Sequence, residues 1–110
     1  MEKKIMTRKV ITLCGSTKFK PAYNEWNARL TLEEDAVVMS VSMWGHADKI
    51  SLTKAQKEQL DSIHKSKIDL SDEIFVLDVG GYIGESTRSE IEYAIKNNKR
   101  VRYLSKEYPE

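Results

Sequence analysis

Short apolar segments recur along this chain, each separated from the next by a stretch of helical length. Val10–Cys14 is apolar, rich in β-branched residues, and stops at Gly15. Ala36–Val41, Glu73–Asp78 and Arg100–Leu104 follow as further strands. Glu73–Asp78 is apolar on consecutive positions, as suits a parallel strand covered by helices on both faces. Between the strands, Phe19, Tyr23, Trp26 and Leu30 recur at i, i+4, i+7 and i+11, one face of a helix from about Lys18 to Glu33. Pro21 falls in its first turn, where a missing N–H is harmless. A polar helix is expected from Thr53 to about Ile68, with Leu60 and Ile63 inward, and another from Ser86 to Ile95, with Ile91, Ala94 and Ile95 inward and Asn97, Asn98 and Lys99 at its end. The order β-α-β-α-β-α-β predicts an α/β fold: a small three-layer, doubly wound sheet of about four parallel strands, Rossmann- or flavodoxin-like.

The 110 residues suit one domain with its own core. Lys plus Arg exceed Asp plus Glu by one, a net charge of +1, and this argues against a dedicated nucleic-acid binder. The single cysteine, Cys14, excludes an internal disulfide framework and a cysteine-cluster zinc site, and fits a reducing, cytoplasmic setting. No apolar run approaches the ~20 residues of a membrane span, and the basic start lacks the apolar stretch of a signal peptide. No membrane partner, metal or cofactor is expected. His46 and His64 are far apart in sequence and lack acidic ligand spacing.

In a doubly wound sheet, ligands bind outside the carboxyl ends of the strands. Three segments occupy that position. Gly15, Ser16 and Thr17 join the first strand to the first helix, where a glycine admits close backbone approach and hydroxyls and helix-terminal amides can hold an anion. The same triplet also reads as a capped helix start. The segment from Ser40 to Asp48 carries Trp44, His46 and Asp48. The third, from Asp78 to Glu90, combines Gly80, Gly81 and Gly84 with Ser86, Thr87 and Arg88. A capping box would account for Ser86 or Thr87 with Ser89 or Glu90, but not for three preceding glycines. Two hydroxyl-bearing loops at one sheet edge favour a phosphate-sugar pocket. Neither a Walker lysine-serine pair nor a full dinucleotide fingerprint is present.

Cys14–Thr17 after the first strand, Ser71-Asp72 before the third, and Glu90–Ala94 after a Gly/Ser/Thr loop resemble the nucleoside 2-deoxyribosyltransferase superfamily, which includes the 2′-deoxynucleoside 5′-phosphate N-hydrolases. The resemblance runs from about Val10 to Leu104 and lies in the order and spacing of the motifs. A more distant likeness is to the "lonely guy" phosphoribohydrolases, through Gly80-Gly81 and Thr87 with Glu90. The resemblance implies a homo-oligomer acting on a nucleoside or nucleotide. It also implies that Glu90 is a nucleophile attacking the anomeric carbon and displacing the base through an oxocarbenium-like transition state. The leaving base needs a proton. Asp78 is the first candidate donor, and His46 and Asp48 are weaker ones.

The chain departs from the family pattern at three places. Glu92 stands where the motif has glycine, His64 where hydrolase relatives have an aspartate, and Gly84 where deoxyribosyltransferases have another. His64, one position from apolar Ile63, reads equally as a partly buried structural histidine. Tyr82 and Trp44 can stack on a base or pack beneath their own loops. Cys14 reads as a small buried residue at a strand end. The catalytic expectation is therefore Glu90 with Asp78. Gly15, Ser16, Thr17, Gly84, Ser86, Thr87 and Arg88 would bind substrate, and His46, Asp48, His64 and Tyr82 could contact the base or donate a proton. The alternative is a nucleotide-binding module in which Glu90 only caps its helix.

Overall fold

A computed structural model describes residues 7–41 and 51–109. The segment holding Trp44, His46 and Asp48 lies outside the described residues. Strands β1 (Val10–Cys14), β2 (Val37–Met39), β3 (Glu73–Val76) and β4 (Arg100–Tyr103) form one sheet in the order β2-β1-β3-β4, every neighbouring pair parallel. Helices α1 (Lys20–Glu34), α2 (Lys54–Asp69) and α3 (Glu85–Lys96) make the crossovers, and a single turn, α4 (Leu104–Glu107), follows β4. This is the expected doubly wound α/β fold, with four parallel strands.

The period of two in the strands divides the interior into two layers. Ile11 and Leu13 of β1, with Phe75 and Leu77, pack against Tyr23, Trp26 and Leu30 of α1. Cys14, Ile74 and Val76 turn to the other face and meet Ile68 of α2 with Ile91 and Ala94 of α3. Both faces of β1 and β3 are therefore sealed, which is why β3 tolerates no exposed position.

Several local expectations shift. Phe19 belongs to a 3-10 turn, Thr17–Phe19, and leaves the buried stripe of α1 to Tyr23, Trp26 and Leu30. β2 has three residues instead of six, because only Val37–Met39 pair with β1. The inward residues of α2 are His64 and Ile68, not Leu60 and Ile63; Ile63 is 43% exposed. On α3 the buried stripe is Thr87, Glu90, Ile91 and Ala94, spaced i, i+3, i+4 and i+7. Ile95 sits about 100° around the helix from Ala94 and is 60% exposed. The helix ends as expected, with Asn98 in the left-handed conformation (φ 62°). Among the described residues, no helix is long and apolar enough to cross a membrane.

An ion network closes the edge away from the second crossover. Arg102 of β4 donates to both carboxylate oxygens of Glu34 (2.9 and 2.8 Å), to both of Glu107 (2.9 and 2.8 Å) and to Glu73 (2.7 Å). Three acids hold its guanidinium pKa well above the usual value, with the hydrogen bond to Glu107 the largest cause. Glu73 is 3% exposed, and Arg102 is its nearest cation, ahead of Lys9 at 3.6 Å and Arg100 at 3.8 Å. Arg102→Ala should lower unfolding free energy by about 3–5 kcal/mol, the cost of leaving a buried carboxylate without its cation. Urea denaturation of the two proteins at neutral pH checks this; a loss below about 1 kcal/mol would mean that water or Lys9 replaces the guanidinium.

Candidate active site

The strand order places a switch point between β1 and β3. From β1 the chain crosses to β2 on one side, then returns past β1 to β3 on the other. The loops leaving β1 and β3 diverge there, and a crevice opens between them. It is a cavity of about 810 Å³, within the range of small-molecule sites.

Each wall has a sequence reason. Gly15 closes β1 with φ 155°, and a Cβ there would meet Leu77 Cβ and O at 3.1 Å; only glycine lets the loop leave so close to β3. The Tyr23 hydroxyl donates to Gly15 O (2.7 Å) and fixes the turn. The Ser16 hydroxyl accepts from Lys18 N (3.3 Å) and caps the 3-10 turn, so capping and cavity lining coexist at this residue. After β3, Gly80 and Gly81 take positive φ (63° and 83°) in a second 3-10 turn, Val79–Gly81. Gly84 is the N-cap of α3 and offers no side-chain cap, so the first-turn N–H groups of this helix have no side-chain acceptor from the cap residue. The expected capping box at Ser86 or Thr87 does not form. The helix starts at Glu85, one residue earlier than expected, with Gly84 as its N-cap, and Glu90 lies on the core side.

Behind the cavity, three titratable groups from three elements converge. Cys14 Sγ lies 3.4 Å from His64 Nε2, and His64 Nε2 lies 3.6 Å from Glu90 Oε1. All three residues are buried. Burial pushes the Glu90 carboxyl up to about 7, aided by the charge of Asp61 and opposed by the Cys14 thiol hydrogen bond and Lys65. Burial pulls His64 down to about 4, with Lys67 adding repulsion. Burial also raises the Cys14 thiol well above its ordinary value, and Glu90 adds to the effect. Between about pH 4 and 7 the cluster is therefore uncharged, and Glu90 is the member that ionises near neutrality.

The structure gathers most of the sequence-predicted residues. Gly15, Ser16, Thr17, His64, Tyr82, Gly84, Ser86, Thr87 and Glu90 all line the cavity. Tyr82 is half exposed, its ring under Lys18 Nζ (3.8 Å) and edge-on to Phe19 (6.0 Å between centroids). Arg88 is exposed and does not line the cavity. Asp78 does not line it either. Its carboxylate accepts from the Ser105 backbone N–H (2.9 Å) and hydroxyl, tying the β3 loop to α4. His46 and Asp48 fall outside the described residues. Sequence reasoning named His64 but missed the polar wall that α2 builds around it: Lys57, Asp61 and Lys67, which with His64 line the cavity. Their spacing of four, three and three is a helical stripe, and reading the charged run as a solvated face hid it. It also missed the juxtaposition of Cys14 with Glu90, which are 76 positions apart by their numbers.

In comparisons with known proteins, neither a family model nor a curated protein matches this chain.

The opposed titrations have a measurable consequence. The folded chain holds the Glu90 proton more tightly than the unfolded one, so burying this group costs stability as pH rises from its unfolded value near 4.5 to about 7. His64 acts oppositely: the folded chain sheds its proton, so stability falls as pH drops from 6.5 to about 4. The stability of Glu90→Gln relative to wild type should therefore grow by up to about 3 kcal/mol as pH rises from 4.5 to 7. Paired urea titrations across this range read the difference directly. A constant difference would mean that Glu90 titrates as an ordinary exposed carboxylate.

Proposed function

We propose that this chain cleaves the N-glycosidic bond of a nucleoside 5′-monophosphate or nucleoside, as an N-glycosidase or deoxyribosyltransferase, with Glu90 as nucleophile. One observation carries the reading: a buried carboxyl group with a pKa near 7 faces a cavity at the sheet's switch point whose walls bear Ser16, Thr17, Ser86 and Thr87. The hydroxyls and the first-turn amides of α3 suit the phosphate end of a nucleotide, and Lys57 supplies positive charge on the same cavity. Tyr82 offers an aromatic face to the base.

In the proposed reaction an ionised Glu90 oxygen forms a bond to the anomeric carbon as the bond to the base breaks, and the electron pair leaves on the base nitrogen. The base takes up a proton. Asp78 is held by Ser105 away from the cavity, so cavity water is the proton source for the leaving base, and Asp61, which lines the cavity, orients that water. Water or a second base then takes the sugar from the Glu90 ester. The reading includes a cytoplasmic homo-oligomer, in which a second copy contacts the base.

Incubation with a panel of deoxynucleoside and ribonucleoside 5′-monophosphates, followed by chromatography, should release free base. Glu90→Gln should lower the rate by at least about 10³-fold, the scale of single-nucleophile losses. Because attack needs the carboxylate, kcat/KM should fall as pH drops through about 7. Thermal stabilisation by nucleotides with no base released from any of them would replace this reading by the binding module. Absence of both base release and thermal stabilisation would rule out a nucleotide ligand.

A further inference from the structure

The Cys14–His64–Glu90 cluster is built wrongly for a proton relay. A Cys–His–carboxylate relay needs the thiol on one ring nitrogen and the carboxylate on the other. Here both reach the same atom: Nε2 is 3.4 Å from the sulfur and 3.6 Å from Glu90 Oε1. Nδ1, the nitrogen a relay would use, is buried without a partner among the described residues. The three donor atoms instead converge, all within 4.8 Å of one another.

Convergence of this kind is the geometry of a metal site. A tetrahedral ion with metal–sulfur and metal–nitrogen bonds of about 2.3 and 2.0 Å sets sulfur and nitrogen about 3.5 Å apart, and nitrogen and carboxylate oxygen about 3.3 Å apart. The corresponding separations here are 3.4 and 3.6 Å. We propose that Cys14, His64 and Glu90 bind a divalent ion of the zinc class, with the fourth coordination position opening on the cavity that His64 and Glu90 both line.

The donor set selects the metal. One sulfur, one imidazole and one carboxylate suit zinc or cobalt and disfavour magnesium and calcium, which take oxygen. His64 turns Nε2, the nitrogen shared by the sulfur and the carboxylate, toward the point where the three donors converge. Binding exchanges protons for metal: the thiol proton leaves as the sulfur–metal bond forms, and Glu90 releases its own proton when it carried one. Water from the cavity completes the coordination. Because Nδ1 has no partner among the described residues, the imidazole lacks the outer hydrogen bond that tightens many metal sites, and affinity comes from the three ligands alone. The proposal does not depend on the glycosidase reading, but it constrains it: an ion on Glu90 Oε1 leaves only Oε2 to attack the sugar.

Cobalt(II) tests it by spectrum and not by activity. The full chain, reduced with a non-thiol reductant and freed of metal by a chelator, is titrated anaerobically with cobalt(II) near pH 7.5. One equivalent should produce tetrahedral d–d bands in the visible and a thiolate-to-cobalt charge-transfer band in the near ultraviolet, both erased by zinc. Cys14 is the only cysteine in the chain, so the charge-transfer band reports this site in the wild type without any variant. Glu90→Gln and His64→Ala should each weaken cobalt binding at least about tenfold, whereas Glu92→Gln, at an exposed position on the same helix, should not. A wild-type titration with no charge-transfer band at one equivalent overturns the proposal. So does a band whose affinity is the same in Glu90→Gln and His64→Ala. Base release, measured separately, decides the glycosidase reading whichever way the spectrum falls.

Discussion

The pairing of β1 with β3 is the constraint on which the site depends. β1 is hydrogen-bonded along both edges, to β2 and to β3, and its register with β3 runs from Ile11 opposite Glu73 to Cys14 opposite Val76. That register ends β1 and β3 at the same level, so their following loops open side by side. It also fixes which β1 residues face which helix layer. A one-residue slip would send Cys14 to the α1 layer and Leu13 beneath α2 and α3, dismantling the cluster and both cores together.

The two faces of the sheet do different work. Toward α1, the buried residues are apolar almost throughout, from Ile11 and Leu13 to Trp26, whose ring stacks on Phe75 at 5.3 Å between centroids. Toward α2 and α3, the apolar layer of Ile68, Ile74, Val76, Ile91 and Ala94 gives way at its upper end to Cys14, His64, Thr87 and Glu90. Burying such groups opposes folding, and burial displaces the pKa of Glu90 upward and that of His64 downward. The α1 layer and the Arg102 network supply stability at a distance from the cavity, which leaves the other face free to carry strained electrostatics.

Much of the architecture was legible because strands and helices announce themselves by local period. β1, α1, α2, β3, α3 and β4 fall close to where apolar runs, the Phe19-to-Leu30 spacing and the glycine and asparagine breaks put them. The glycine-rich and Gly-Ser-Thr loops also reach the cavity as expected, since a βα junction of a parallel sheet leads to its carboxyl edge. Asp78 shows the limit. It follows a strand like a site residue, yet its carboxylate caps the turn after β4, a partner 27 positions away that no local pattern reveals. Ile95 and Ile63 show another. Apolarity alone suggested burial, but the orientation of each helix on the sheet is set by neighbours: Ile95 is largely exposed, and Ile63 borders the cavity instead of the core.

By itself, then, the order of residues determined the alternation of elements, the parallel sheet and the loops that border its edge, because these follow from backbone geometry and near-neighbour periodicity. Tertiary structure alone decided that the sulfur of Cys14, the imidazole of His64 and the carboxyl of Glu90 meet behind one cavity. It also decided that a glutamate read as either a cap or a nucleophile is buried, with a pKa near 7. Proximity and dielectric environment belong to the packed layers, and a chain carries no local mark of either until β1 and β3 have paired and α2 and α3 have closed over them.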